Sequence, residues 1–188
     1  MKRLALACAL LALALLLTWP PAAGAGDQPP VRLRLLNSLA GYPQGGSYPL
    51  ALELVIAPGY HLNPAQPADP QAVPTRLAFQ TAPGLKIAPP RFPPPREMKL
   101  AFSERPVPVL GGKVLLRTRL RVLPGAAPGT RRVKVILSYQ ACTDQACLMP
   151  RRQEFEFPIV VLPAGSRPRP LNQEVFATPA EDRNPTGG

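Results

Sequence analysis

Val133-Lys134-Val135-Ile136-Leu137-Ser138-Tyr139 alternates along its length, with Val133, Val135, Leu137 and Tyr139 on one side and Lys134 and Ser138 on the other. A period of two marks a strand with one face in a core and the other in water. A second such run follows shortly after, Phe155, Phe157, Ile159 and Val161 alternating with Glu154 and Glu156. Two alternating runs this close predict an antiparallel hairpin, with the residues between them at its tip. Those residues include Cys142-Thr143-Asp144-Gln145-Ala146-Cys147, followed at once by Leu148-Met149-Pro150-Arg151-Arg152.

Working upstream, Lys113 to Leu123 repeats the pattern, Val114, Leu116, Thr118, Leu120 and Val122 opposing Lys113, Arg117, Arg119 and Arg121. Tyr48 to Ile56 sets Tyr48, Leu50, Leu52, Leu54 and Ile56 on one face until Pro58-Gly59 stops it. Val31 to Leu35 alternates as well, and Thr75 to Gln80, Leu85 to Ala88 and Met98 to Phe102 read as shorter strands. Gly41 to Ser47 is a turn, Tyr60 to Pro74 a loop, and Ala82 to Pro95 too dense in proline for a helix or a central strand. No stretch after the N-terminus holds a helical period. About seven to nine short strands joined by Gly/Pro turns predict an all-β, immunoglobulin-like β-sandwich, with a small barrel as the alternative.

The N-terminus carries Lys2 and Arg3, an apolar run from Leu4 to Leu17, a break at Trp19-Pro20-Pro21 and small residues at Ala23-Gly24-Ala25. That is the layout of a secretory signal peptide, which places its end at residue 25 and the chain in the periplasm or outside the cell. Domain boundaries follow as 1–25 for the signal, 26–163 for the sandwich, and 164–188 for a disordered tail of Ser, Pro, Arg, Asn and Gly. Cleavage would take away Cys8, Lys2 and Arg3, lowering the formal charge from +11 to +9. The mature chain would then hold only Cys142 and Cys147, an even number in an oxidising compartment. Its basic residues are scattered along strands without recognition motif or basic cluster, which speaks against nucleic acid as a partner.

A bond between Cys142 and Cys147 has two readings. As a staple it is weak: a loop this short restricts the unfolded chain by about 2 kcal/mol, against nearly 5 for a loop of about 100 residues. As a reagent it is well placed, because a hairpin tip is open to another protein and a thiolate is the nucleophile of exchange. Spacing alone leaves both open. Zinc wants three or four ligands, and two cysteines with the distant His61 are a poor set, so no metal is expected. A Cys–His nucleophile pair lacks any local signature.

The wording around the cysteines adds to this. Val135-Ile136-Leu137-Ser138-Tyr139-Gln140-Ala141-Cys142, with Cys147-Leu148-Met149-Pro150, resembles the signature of the N-terminal periplasmic domain of the thiol:disulfide interchange protein DsbD, or disulfide bond corrector-like family. Ala57-Pro58-Gly59-Tyr60-His61-Leu62-Asn63 is similar to that family's turn, and Val73-Pro74-Thr75-Arg76-Leu77 to a strand of its stand-alone members. The resemblance spans about Val31 to Val161. It implies an immunoglobulin-like sandwich whose Cys142/Cys147 pair takes electrons from a membrane-embedded thiol reductase and passes them to periplasmic thioredoxin-like proteins. It implies a protein-disulfide reductase component without cofactor, with Cys147 as the sulfur that meets partners. It also implies an aromatic cap over the pair, for which Phe102 is the candidate, with Tyr60, His61 and Tyr139 as lining candidates. The sequence has neither the multi-span membrane domain nor the thioredoxin-like domain of full-length members, so electrons are expected from separate proteins. The competing expectation is a non-catalytic binding sandwich with a structural disulfide.

Overall fold

The computed structural model describes residues 29–101 and 103–177; the expected signal peptide, Phe102 and the chain beyond 177 lie outside the described residues. The strands, numbered in chain order, are β1 (Val31–Asn37), β2 (Tyr42–Pro43), β3 (Ser47–Ile56), β4 (His61–Leu62), β5 (Arg76–Thr81) and β6 (Leu85–Ile87). After these come β7 (Arg96–Met98), β8 (Val107–Gly111), β9 (Lys113–Val122), β10 (Gly129–Tyr139), β11 (Ala141–Cys142) and β12 (Arg151–Leu162). The described residues hold one helical turn, α1 (Gln173–Phe176). None of their helices is long and apolar enough to cross a membrane.

Two four-stranded sheets, ordered β1-β3-β9-β6 and β2-β12-β10-β5, form an immunoglobulin-like sandwich. Alternation explains why they pack. In β9, Val114, Leu116, Thr118, Leu120 and Val122 are buried while Lys113, Arg117, Arg119 and Arg121 are exposed. In β10, Val133, Val135, Leu137 and Tyr139 are buried, and they join Leu50, Leu52 and Leu54 of β3 in a single apolar cluster. Each fully buried Leu or Val there contributes about 1.5–3 kcal/mol through the water it excludes. β10 and β12 pair antiparallel from Gly129↔Val161 to Tyr139↔Arg151, so the expected hairpin is present with the cysteines at its tip.

A third small sheet, ordered β11-β4-β8-β7, stands at the cysteine end. It has no counterpart in the alternation pattern. The loop expected from Tyr60 to Pro74 begins with β4, and the stretch after Pro106 is β8, which pairs with both β4 and β7. The edge strand expected at Met98 to Phe102 runs instead over Arg96–Met98. The turn expected at Gly41 to Ser47 opens with β2, laid parallel to the end of β12.

The disordered tail expected from 164 is not loose as far as 177. The backbone N–H of Leu171 donates to the Ser38 carbonyl at 2.8 Å, and that of Ala40 to the Arg169 carbonyl at 2.9 Å. Asn172 Nδ2 donates to the Asn37 carbonyl at 2.9 Å. Backbone pairing, rather than apolar content, ties this segment down.

Candidate functional site

The tip is a hairpin within a hairpin. The N–H of Thr143 donates to the Ala146 carbonyl at 2.8 Å, and the N–H of Leu148 to the Ala141 carbonyl at 2.8 Å. Thr143 Oγ1 accepts from the N–H groups of Ala146 (3.1 Å) and Gln145 (3.3 Å), which tightens the turn from within. Gln140 Nε2 donates to the Leu148 carbonyl at 3.0 Å and holds the returning strand. Across this turn Cys142 and Cys147 are joined by a disulfide, with their Cα atoms 3.9 Å apart.

The two sulfur-bearing residues differ in access. Cys142 is 3% exposed, whereas Cys147 lies in an exposed stretch that runs from Asp144 to Arg152. Leu148 and Met149 follow it at 37% and 81% exposure, so two apolar side chains stand next to the accessible sulfur. An apolar surface beside an accessible sulfur is a place where another protein can dry out a contact.

β11 sets Cys142 against β4, in the register Cys142↔His61 and Ala141↔Leu62. The position of β4 is fixed from both sides in sequence. Pro58-Gly59 makes a tight turn, with Gly59 at φ 79° and the Tyr60 N–H donating to the Ala57 carbonyl at 3.1 Å. Downstream, Asn63 Nδ2 donates to the Val73 carbonyl at 3.0 Å, and the buried Thr75 Oγ1 donates to the Asn63 carbonyl at 2.6 Å. These bonds zip the proline-rich loop shut behind β4. His61 is buried, and the water it has lost pushes its pKa below the ordinary imidazole value, while the charge of Asp144 pulls it partly back.

The residues singled out in the sequence therefore separate. Cys142, Cys147 and His61 come together on the third sheet. Tyr60 is half-buried against the core at the turn that leads into β4. Tyr139 belongs to the core, its hydroxyl donating to Gln153 Oε1 at 3.0 Å where β10 and β12 diverge. Burial raises its pKa and Arg151 lowers it in part. Phe102, the expected cap, lies outside the described residues. Thr143 is an addition of the structure, Asp144 stands in the sequence as a charge between the cysteines opposing Arg151 and Arg152, and Leu148 and Met149 stand there only as part of the family signature. The Thr-x-x-Ala turn between the cysteines could have pointed to Thr143; nothing local linked Asp144 to His61. Among the described residues no group of three His, Cys, Asp or Glu side chains could hold a metal ion.

The family model described as "Thiol:disulfide interchange protein DsbD, N-terminal" matches residues 37–159. No curated protein sequence matches the chain. Among solved structures, the reduced DsbD N-terminal domain of Neisseria meningitidis is 18% identical, with 74% of this chain and 90% of that one covered and a TM-score of 0.39. The N-terminal periplasmic domain of ScsB from Proteus mirabilis is 13% identical, with 72% and 48% covered and a TM-score of 0.45. A family 123 glycoside hydrolase from Clostridium perfringens gives 7% identity, 71% and 27% coverage and a TM-score of 0.38. Likenesses this distant do not speak to chemistry.

Proposed function

The chain belongs to the family of DsbD N-terminal domains, and from that premise we propose that it is a periplasmic thiol–disulfide exchange module. In this reading the Cys142/Cys147 pair relays electrons from a membrane-embedded thiol reductase to thioredoxin-like proteins. The single observation that carries it is the unequal access of the two cysteines, one exposed on a hairpin tip and the other sheltered behind it. Exchange proceeds by thiolate attack on one sulfur of a disulfide, and access decides which sulfur is taken.

The steps balance without a cofactor. A reductase thiolate attacks Cys147 Sγ, the Cys142–Cys147 bond breaks, and Cys142 leaves as a thiolate that takes up a proton. The reductase's second thiolate then attacks its own sulfur in the mixed disulfide and releases Cys147, which is protonated in turn. The pair has gained two electrons and two protons, and the reductase holds a disulfide. The reverse sequence on a thioredoxin-like disulfide passes those electrons on. Leu148 and Met149 offer the partner an apolar footing next to the reacting sulfur.

The test is trapping. Oxidised chain from residue 26 onward is mixed with reduced thioredoxin, and thiols are followed by the mass shift of a maleimide. The expected result is reduction of the wild-type pair, with a long-lived mixed disulfide on Cys147 when Cys142→Ser meets a thioredoxin that lacks its second cysteine and carries thionitrobenzoate on the first, and none when Cys147→Ser does. A wild-type pair that stays oxidised, or a Cys142→Ser variant that traps nothing, would overturn the reading.

A further inference from the structure

Resolving a mixed disulfide sets a problem that access alone does not solve. When Cys147 holds a partner, Cys142 must attack as a thiolate, and ionising a thiol in apolar surroundings costs solvation. Cys142 is 3% exposed, so water is a poor acceptor for its proton.

The third sheet lines up a row across its strands. Gly111 of β8 pairs with His61 of β4, His61 with Cys142 of β11, and Cys142 with Cys147 on the returning strand. Directly opposed residues of antiparallel neighbours share a face, with Cβ atoms about 4.5–5.5 Å apart. The imidazole and both sulfurs therefore project to the same side, His61 next to Cys142 and Cys147 beyond it. On the other flank of His61, Gly111 has no side chain, and even an added Cβ there would meet nothing within 4 Å. β8 contributes Gly111 and Leu110 against β4, neither of them titratable, and the carboxylate whose charge reaches His61 is Asp144 on the exposed tip.

We propose that His61 takes the proton of the Cys142 thiol when Cys142 attacks a mixed disulfide on Cys147, and that Asp144 steadies the imidazolium that results. Sulfur balance is simple: the Cys142–Cys147 bond forms, the partner leaves Cys147 as a thiolate, and the proton passes from Cys142 to His61 and on to water beside Asp144. A buried imidazole that is neutral near pH 7 suits an acceptor. The inference rests on the exchange function proposed above, but its test needs no protein partner.

Reduced chain is mixed with 5,5′-dithiobis(2-nitrobenzoate) in a stopped-flow instrument. Cys147 releases one thionitrobenzoate on capture, and Cys142 releases the second on resolution, so the two steps separate in time; the reagent is the oxidant. His61→Gln is expected to leave the first release unchanged and to slow the second at least about tenfold between pH 6 and 7, within the range for a positioned base. The loss should shrink above pH 9, where hydroxide removes the proton, a recovery that a merely structural defect would not show. In the wild type the second release should rise as pH climbs through the His61 pKa. Asp144→Asn, an exposed substitution, should move that rise to lower pH, because the carboxylate that holds the proton on His61 is gone. A second release of unchanged rate in His61→Gln overturns the proposal. If that variant does not fold, an unmoved pH profile in Asp144→Asn overturns it instead. Failure of the exchange function would appear in the thioredoxin assay while leaving these two phases readable.

Discussion

The two ends of the β10–β12 hairpin are built on different rules. Along its length, Val133, Val135, Leu137 and Tyr139 are interchangeable in kind: each is apolar, buried and supported by many neighbours across the sandwich. At the tip, Cys142, Cys147 and His61 sit in one row, and their side chains can react where those of the body can only pack. The body of the hairpin is stabilised by area, so it tolerates a change of shape at a graded cost. The tip is held by a few backbone bonds and one covalent bond, so it contributes little to stability and can face outward.

That contrast can be broken most sharply at the tip. Cys147→Ser should abolish exchange with thioredoxin altogether, yet unfold in urea at the same midpoint as the reduced wild type; a large loss of stability would mean that the tip is structural. The converse change is Leu116→Ala in the core, where Leu116 has no exposure. It should cost about 2–5 kcal/mol in urea unfolding, while the folded fraction keeps the wild-type rate of exchange. Met149→Asp, at a side chain 81% exposed, should leave stability within about 0.5 kcal/mol. It should still slow exchange with thioredoxin several-fold and leave the reaction with a small disulfide unchanged.

The smallest effect lies on the outer face of the hairpin body. Lys134 Nζ stands 2.9 Å from Glu154 Oε2, and this pair lowers the Glu154 pKa and raises that of Lys134. A depressed carboxyl contributes stability that is present above its ordinary value of 4.5 and lost as pH falls through the lower folded value. Lys134→Ala should therefore trim the urea midpoint slightly at pH 6 and not at pH 2. An equal loss at both would assign the effect to packing instead.

What the sequence made legible follows the same divide. Strands that span the core, such as β9 and β10, announce themselves, because a period of two is enforced wherever one face meets oil and the other water. β8 did not: Pro106 precedes it and Pro108 interrupts it, and it survives because β4 pairs only with Leu110 and Gly111, so Pro108 has a neighbouring strand on one side alone, where a missing N–H costs little. His61 could be noticed as the lone histidine but not placed, since its partner Cys142 is distant in the chain and meets it only through the sheet. The segment from Arg169 to Asn172 looked too polar to be ordered, and it is held by backbone bonds that composition does not report. The family was legible through Tyr139-Gln140-Ala141-Cys142 and Cys147-Leu148-Met149-Pro150, whereas the difference in exposure between the two sulfurs needed the fold.

The most direct test of the relay is the reduction potential of the Cys142–Cys147 pair, measured by equilibrating the folded chain in glutathione redox buffers. A pair that exchanges electrons with thioredoxin-like proteins should equilibrate there, at a potential well above about −300 mV. A value far below that would make the bond an inert staple and contradict the account.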